Sequence, residues 1–206
     1  MLLEGRRYAI GVQALRESFE KGEHLLKRPL TFAENLQAKL QNPSLFRSNL
    51  ASCTAIAYEK NSKRFKIIPK CDLLINIPPT FKQQFRRYNY HKLDGEEFSA
   101  SDSRLTFNKP LTPSAVLRHP VWRAAAEDDN LLREFVSRNF EFHNEFRYDD
   151  RTGMQFKILD NSGVNMVFAL WVDCSGSARG DIHLGGNQVY SCGDAFFARL
   201  APSGAP

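Results

Sequence analysis

The side chains best suited to chemistry crowd into one stretch, DCSGSARGDIHLGGNQVYSCGD, residues 173–194. Cys192, His183 and either Asp181 or Asp194 are the residue types of a thiol nucleophile, its base and an orienting carboxylate. A thiolate needs that relay to be activated. Proximity in sequence does not set its geometry, and the residues around Cys192 carry no nucleophile signature. Asp173, Asp181, His183 and Asp194 are metal-ligand types, yet their spacing matches neither a calcium loop nor a zinc site. Gly185-Gly186-Asn187 is a turn signal without the strand-to-helix setting of a phosphate loop. Arg179-Gly180-Asp181 is a tripeptide short enough to arise by chance. The residue types therefore point away from catalysis, and no enzyme activity, metal or cofactor is expected.

Elsewhere the chemistry is sparser. His24, His91, His119 and His143 are scattered and form no HExxH pattern. Cys53, Cys71, Cys174 and Cys192 contain no CxxC pair, so free thiols are expected, with Cys53 and Cys71 candidates for burial. Residues 60–92 interleave nine cations with aromatics: Lys60, Lys63, Arg64, Lys66, Lys70, Lys82, Arg86, Arg87 and Lys92 among Phe65, Phe81, Phe85, Tyr88 and Tyr90. Cations neutralise phosphates and ring faces stack on unpaired bases, so this composition suits a single-stranded nucleic acid. The competing reading is a solvated hairpin and helix whose rings face the core. No established nucleic-acid-binding signature tips the balance toward the first.

The elements that must position these residues are those of an ordinary globular chain of 206 residues, 42% hydrophobic and 25% charged. Charge is uneven: residues 1–92 hold 17 Lys+Arg against 7 Asp+Glu (+10), and residues 93–206 hold 11 against 16 (−5), which together give the net +5. No apolar run approaches the roughly 20 residues a membrane span needs. MLLEGRRYAIG lacks the apolar core of a signal peptide. The expectation is a soluble chain without membrane insertion, cytoplasmic or virion-associated.

RRYAIGV suggests a first strand, Arg7 to Val12, followed by a helix with Val12, Leu15 and Phe19 on one face. TFAENLQAKL is the clearest helix, with a Thr31/Glu34 capping box and Phe32, Leu36 and Leu40 at four-residue spacing. Ser44 is placed to cap a short helix. Thr54–Glu59 and Arg64–Ile68 read as a hairpin turning at Asn61-Ser62. DLLINIPP suggests a third strand, TFKQQFRRY a short helix, and RLTF (Arg104–Phe107) an edge strand. The stretch from His119 to Phe146 is helical, with Pro120 in its first turn. MQFKILDNSGVNMVFALWV reads as a hairpin turning at Asp160–Gly163. Its second arm is apolar on both faces and therefore central in a sheet. AFFARLAP (Ala195–Pro202) is a final strand. Together these give one α+β domain over residues 1–206, with early and central helices and a mainly antiparallel sheet, its strands mostly late and completed at the C-terminal end.

Residues 173–194 fit no element. Their 22 positions hold five of the twelve glycines, two of the four cysteines, three Ser and three Asp, but no Lys, Glu, Met or Trp. A core strand would alternate, and a linker would be more uniform. The block resembles the variable region of a diversity-generating retroelement protein. In that family, adenines of a template repeat are randomised during reverse transcription. AAY codons then reach Asn, Asp, Ser, Gly, Tyr, His, Cys, Ala, Arg, Val, Leu, Ile and similar residues, but not Lys, Glu, Gln, Met or Trp. Only Gln188 in the block lies outside that set. Many relatives enter the region through Gly-Gly-Ser-Trp and leave by Gly-Phe-Arg, where this chain has FALWVDCSGS and AFFARL.

The resemblance implies a C-type-lectin-like fold and a viral or mobile-element origin. It also implies a receptor-recognition role against an unknown protein or cell-surface ligand. The ligand-binding candidates are Asp173, Cys174, Ser175, Ser177, Arg179, Asp181, His183, Asn187, Tyr190, Ser191, Cys192 and Asp194, with Trp171 as a core anchor beneath them. Ile182, Leu184 and Val189 should be no more buried than chance sampling allows. The calcium signatures of sugar-binding lectins, Glu-Pro-Asn and Trp-Asn-Asp, do not occur in the chain, so calcium is not expected. The alternative function is a nucleic-acid-binding module acting through residues 60–92. It is tested directly: on that reading Lys63→Ala with Arg64→Ala weakens salt-sensitive oligonucleotide binding, and lack of binding at low salt eliminates it.

Overall fold

A computed structural model describes residues 2–5, 8–23, 25–48, 50–78, 88–145, 154–156, 158, 165–172, 182–184 and 195–198. Strand β1 (Leu2–Gly5) leads into helix α1 (Tyr8–Glu20), and α2 (Phe32–Gln41) is followed by a 3-10 turn (Pro43–Arg47). Strands β2 (Leu50–Tyr58) and β3 (Arg64–Ile68) form a hairpin with Asn61 in the left-handed region at its turn (φ 53). Then come α3 (Asp72–Ile75), a second 3-10 turn (Tyr90–Lys92), β4 (Glu96–Ser99), α4 (Pro113–Arg118), α5 (Pro120–Ala126) and α6 (Asp129–Glu145). Strands β5 (Met166–Val172), β6 (Ile182–Leu184) and β7 (Ala195–Ala198) complete the described chain.

All seven described strands belong to one sheet. β2 lies at its centre, between β3 and β5 along Ala55–Tyr58 and between β7 and β5 at Leu50. Every pairing is antiparallel except the parallel contact of Leu50 with Phe196. β1 pairs with β7, so strands from opposite ends of the sequence close one side of the sheet. β2 is buried along its whole length, and Val167 to Trp171 of β5 are buried as well. Each large apolar side chain removed from water there stabilises the fold by roughly 1.5–3 kcal/mol.

Helices α2 and α5 cover the sheet, α2 resting on β2 and β5 and α5 on β3, while α6 packs against α2, α4 and α5. Phe32 and Trp122 meet edge to face at 6.2 Å, Trp122 and Phe156 at 5.8 Å, and Phe46 stacks on Phe135 at 5.7 Å. The predicted capping box is present: the Glu34 amide donates to the Thr31 hydroxyl (3.2 Å) and the Thr31 amide to the Glu34 carboxylate (2.7 Å). The helical stretch after His119 breaks between α5 and α6. Glu127 turns left-handed there (φ 61) and the Asp128 carboxylate accepts the amides of Asn130 and Leu131.

Several expectations are corrected. Tyr8–Val12 opens α1 and is not a strand. Tyr8, Val12 and Leu15 recur at helical spacing and are all buried, although Phe19 stays 40% exposed. DLLI is the short helix α3, with the Cys71 carbonyl accepting the amides of Leu74 and Ile75. Arg104–Phe107 is irregular, and the edge strand is Glu96–Ser99, whose two glutamates hid it from an apolar search. The short turn after α2 is capped by Asn42, whose side-chain Oδ1 takes both the amide and the hydroxyl of Ser44. Met154 bridges Leu111 and so does not form the first arm of a hairpin with β5. Four of the seven strands precede α4, so strands are not concentrated late in the chain. The turn at 160–163 and the TFKQQFRRY stretch lie outside the described residues.

His119, at the head of α5, is 5% exposed and its Nε2 lies 3.0 Å from the Thr106 carbonyl. Burial pushes its imidazole below the ordinary value, and the bond to Thr106 offsets part of that shift. The native state thus favours the neutral ring, while the unfolded chain takes up its proton near the usual value of about 6.5. This contribution to stability is full above that value and is lost as pH falls through it toward the lower native value. Urea titrations at about pH 7.5 and about pH 5.5 are expected to show the midpoint dropping in the wild type and dropping less in His119→Gln.

Candidate ligand-binding face

The sheet whose strands β5 and β7 bracket residues 173–194 is built around an irregularity in β2. Pairing with β5 runs from Ala55↔Ala169 to Tyr58↔Met166, then resumes at Ala51↔Trp171 and Leu50↔Val172. Ser52, Cys53 and Thr54 therefore oppose Leu170 alone. Such a bulge leaves ladder groups unpaired, and here all three residues are buried. Unpaired groups in that setting would cost about 1–3 kcal/mol each.

The surrounding segments supply the missing partners. The Ser52 hydroxyl donates to the Leu170 carbonyl (2.8 Å) and accepts the Thr54 amide (3.2 Å). Tyr8 of α1 donates to the Ser52 carbonyl (2.8 Å), and Asn35 of α2 to that of Ala51 (3.1 Å). The Cys53 amide donates to the Leu30 carbonyl (2.8 Å), and the Cys71 amide to the Cys53 carbonyl (2.9 Å). The Thr54 hydroxyl accepts the Phe32 amide (2.8 Å) and donates to the Pro69 carbonyl (2.6 Å). Helices and loops are thereby locked to the strand on which β5 rests.

β5 carries the platform outward. Leu170, Trp171 and Val172 pair with Leu184, His183 and Ile182 of β6. Trp171 is 5% exposed, as expected of a core anchor, and its indole N–H finds no acceptor among the described residues. β6 runs in the same direction as β2 and β7, with the β5–β2 pair between it and β7. The chain that leaves β6 at Leu184 therefore rejoins the sheet at Ala195 on the far side of two strands. That separation is about 14 Å at ordinary strand spacing. Residues 173–194 are thus pinned where β5 ends, along β6, and where β7 begins.

Of the predicted site residues, His183 is placed by its backbone in β6 opposite Trp171. Asp173, Cys174, Ser175, Ser177, Arg179, Asp181, Asn187, Tyr190, Ser191, Cys192 and Asp194 lie outside the described residues, as do Val189 and the side chains of Ile182 and Leu184. Cys53 and Cys71 are free and buried as expected. Burial pushes the Cys53 thiol up to about 11 and raises that of Cys71, so neither is an activated nucleophile. No cluster of three or more His, Cys, Asp or Glu among the described residues is arranged to hold a metal ion. No described helix is long and apolar enough to cross a membrane.

Within residues 60–92 the described rings face inward. Phe65 and Tyr90 are buried, and the half-buried Tyr88 places its hydroxyl 2.7 Å from the carbonyls of both Tyr58 and Met166. Arg64 is held in a fork by Glu59 (2.7 and 2.8 Å). Phe81, Phe85, Lys82, Arg86 and Arg87 lie outside the described residues.

No protein-family model matches this chain, and no curated protein matches it. Among solved structures, one described as "Accommodation of massive sequence variation in Nanoarchaeota by the C-type lectin fold" matches over 96% of this chain and 95% of its own. The TM-score is 0.62 and the sequence identity 13%. The chain has the C-type lectin fold, an α+β architecture in which the β1–β7 pairing closes the sheet.

Ser52→Ala removes both the donor to Leu170 and the acceptor for the Thr54 amide. Chemical denaturation is expected to show a loss of about 1–3 kcal/mol with an unchanged slope.

Proposed function

We propose that the chain is a ligand-binding protein whose variable surface is formed by residues 173–194, as in diversity-generating retroelement variable proteins. The observation that carries this reading is a coincidence of composition and position. The one block limited, apart from Gln188, to residue types reachable from AAY codons starts directly after the buried strand β5 and ends directly before β7. The solved structure of the same fold concerns massive sequence variation, which supports the reading at the level of architecture.

Diversity is tolerable where side chains do not pack a core. Residue types that favour an adaptable contact surface are present: Tyr190 and Arg179 supply contact area and charge, while Asp181, His183 and the serines supply polar adaptability, as in antibody paratopes. The partner is a protein or cell-surface ligand, and the role is recognition without catalysis or cofactor.

Sequencing the same locus and its flanks in sister strains tests this. The expected result is a near-identical repeat differing only at adenines, beside a reverse-transcriptase gene. Absence of both the repeat and the gene would sink the proposal.

A further inference from the structure

A cavity of about 420 Å³ opens at the other end of β2 from the Leu50 pairings, beside the β2–β3 turn. About 25 Å of strand separates the two ends. Leu105, Phe107 and Ile158 supply apolar lining, with Thr106 beside them. Lys63 and Lys109 bring positive charge; among the described residues no carboxylate lines the cavity and neither lysine makes an ion pair. The nearby Asp102 is taken by Arg104 in a fork of 2.7 to 3.2 Å.

The walls are fixed from several sides. Asn108 stands in the left-handed region (φ 57), where its side chain acts as an extra peptide group toward Ile158. Its carbonyl oxygen accepts the Ile158 amide (2.9 Å) and its amide donates to the Ile158 carbonyl (3.3 Å). The Asn108 backbone amide donates to the Phe156 carbonyl (3.0 Å). Thr106 is tied to His119, and the Phe107 ring packs on His119 at 5.4 Å and on Phe65 at 5.7 Å. The Ala100 amide holds the Lys63 carbonyl at 2.8 Å. A non-glycine residue kept at positive φ by three hydrogen bonds marks a conformation its surroundings over-determine. The cavity is therefore preformed, and its volume falls within the range of small-molecule sites.

We infer that this cavity binds a small organic monoanion: a carboxylate on a compact aromatic or branched aliphatic body. The body lies on Leu105, Phe107 and Ile158, and the carboxylate meets the two lysines and the Thr106 hydroxyl. Lysines are point charges that meet carboxylate and phosphate alike, so the choice rests on the apolar side chains of the lining, which reward a hydrocarbon body that a bare oxyanion lacks.

The experiment is an amide-resolved NMR titration of the full chain with 3-phenylpropanoate, its methyl ester, inorganic phosphate and a short single-stranded oligonucleotide. The acid is expected to shift the signals of residues 100 and 105–109 saturably in the millimolar range. Loss of the charged contacts, in the ester or in Lys63→Ala with Lys109→Ala, should weaken binding about tenfold or more. Both lysines are exposed, so an unchanged melting temperature is expected in the variant. Equal binding of acid and ester would overturn the proposal, as would an undiminished response in the variant or no saturable shift with the acid. Equal or stronger shifts of the same signals by phosphate or the oligonucleotide would overturn it too, because the lysines would then belong to a general anion surface.

Discussion

The fold depends on burying a strand that does not keep its register. β2 is enclosed along its whole length, so every amide and carbonyl it fails to pair with β5 must find a partner inside the protein. The bulge at Ser52–Thr54 breaks the ladder where the sheet is most enclosed. Its repair draws on α1 through Tyr8, on α2 through Phe32 and Asn35, and on the loops at Leu30 and Pro69. Those hydrogen bonds add direction to the apolar contacts that hold the helices on the sheet.

This arrangement bears on how the chain could tolerate a variable surface. A binding segment free to change must contribute little to the stability of what carries it. Among the described residues, the hydrogen-bond partners of the bulge lie within residues 8–71 and β5. Trp171, the last fully described side chain before the segment, is buried. The rigid platform therefore stops one residue short of the block whose residue types look sampled. The cavity near Lys63 and Lys109 stands at the other end of β2 from the Leu50 pairings.

Much of this was legible in the sequence where one signal dominated. The Thr31/Glu34 box, the hairpin around Asn61 and the two-faced apolar run of β5 all read correctly, because capping chemistry, turn chemistry and strand burial leave local traces. Tyr8–Val12 misled because β-branched and aromatic residues favour strands, while the burial of Tyr8, Val12 and Leu15 follows a helical period. β4 was missed because its edge position asks for glutamates. The bulge itself left a faint trace: Ser52 and Thr54 flank Cys53 inside an apolar strand, and buried hydroxyls in such a setting signal backbone groups in need of partners. Pairing such as Leu111 with Met154 carries no local signature. For residues 173–194, composition spoke where periodicity was silent, which is why a function could be inferred there without an element assignment.

The pairing of β1 with β7 has a consequence for how variants of such a chain would be screened. Ala195–Ala198 is encoded after the irregular block, yet it is the partner of Leu2–Gly5 and touches the central strand at Leu50. A frameshifting insertion or deletion, or a stop codon, within 173–194 would rewrite or remove β7. The first strand of the sheet would then lose its neighbour and expose an open edge. Such a product would be marked for proteolysis or aggregation, whereas amino-acid exchanges that keep the reading frame would pass. The sheet closure would thus make the fold sensitive to reading frame through the four residues of β7.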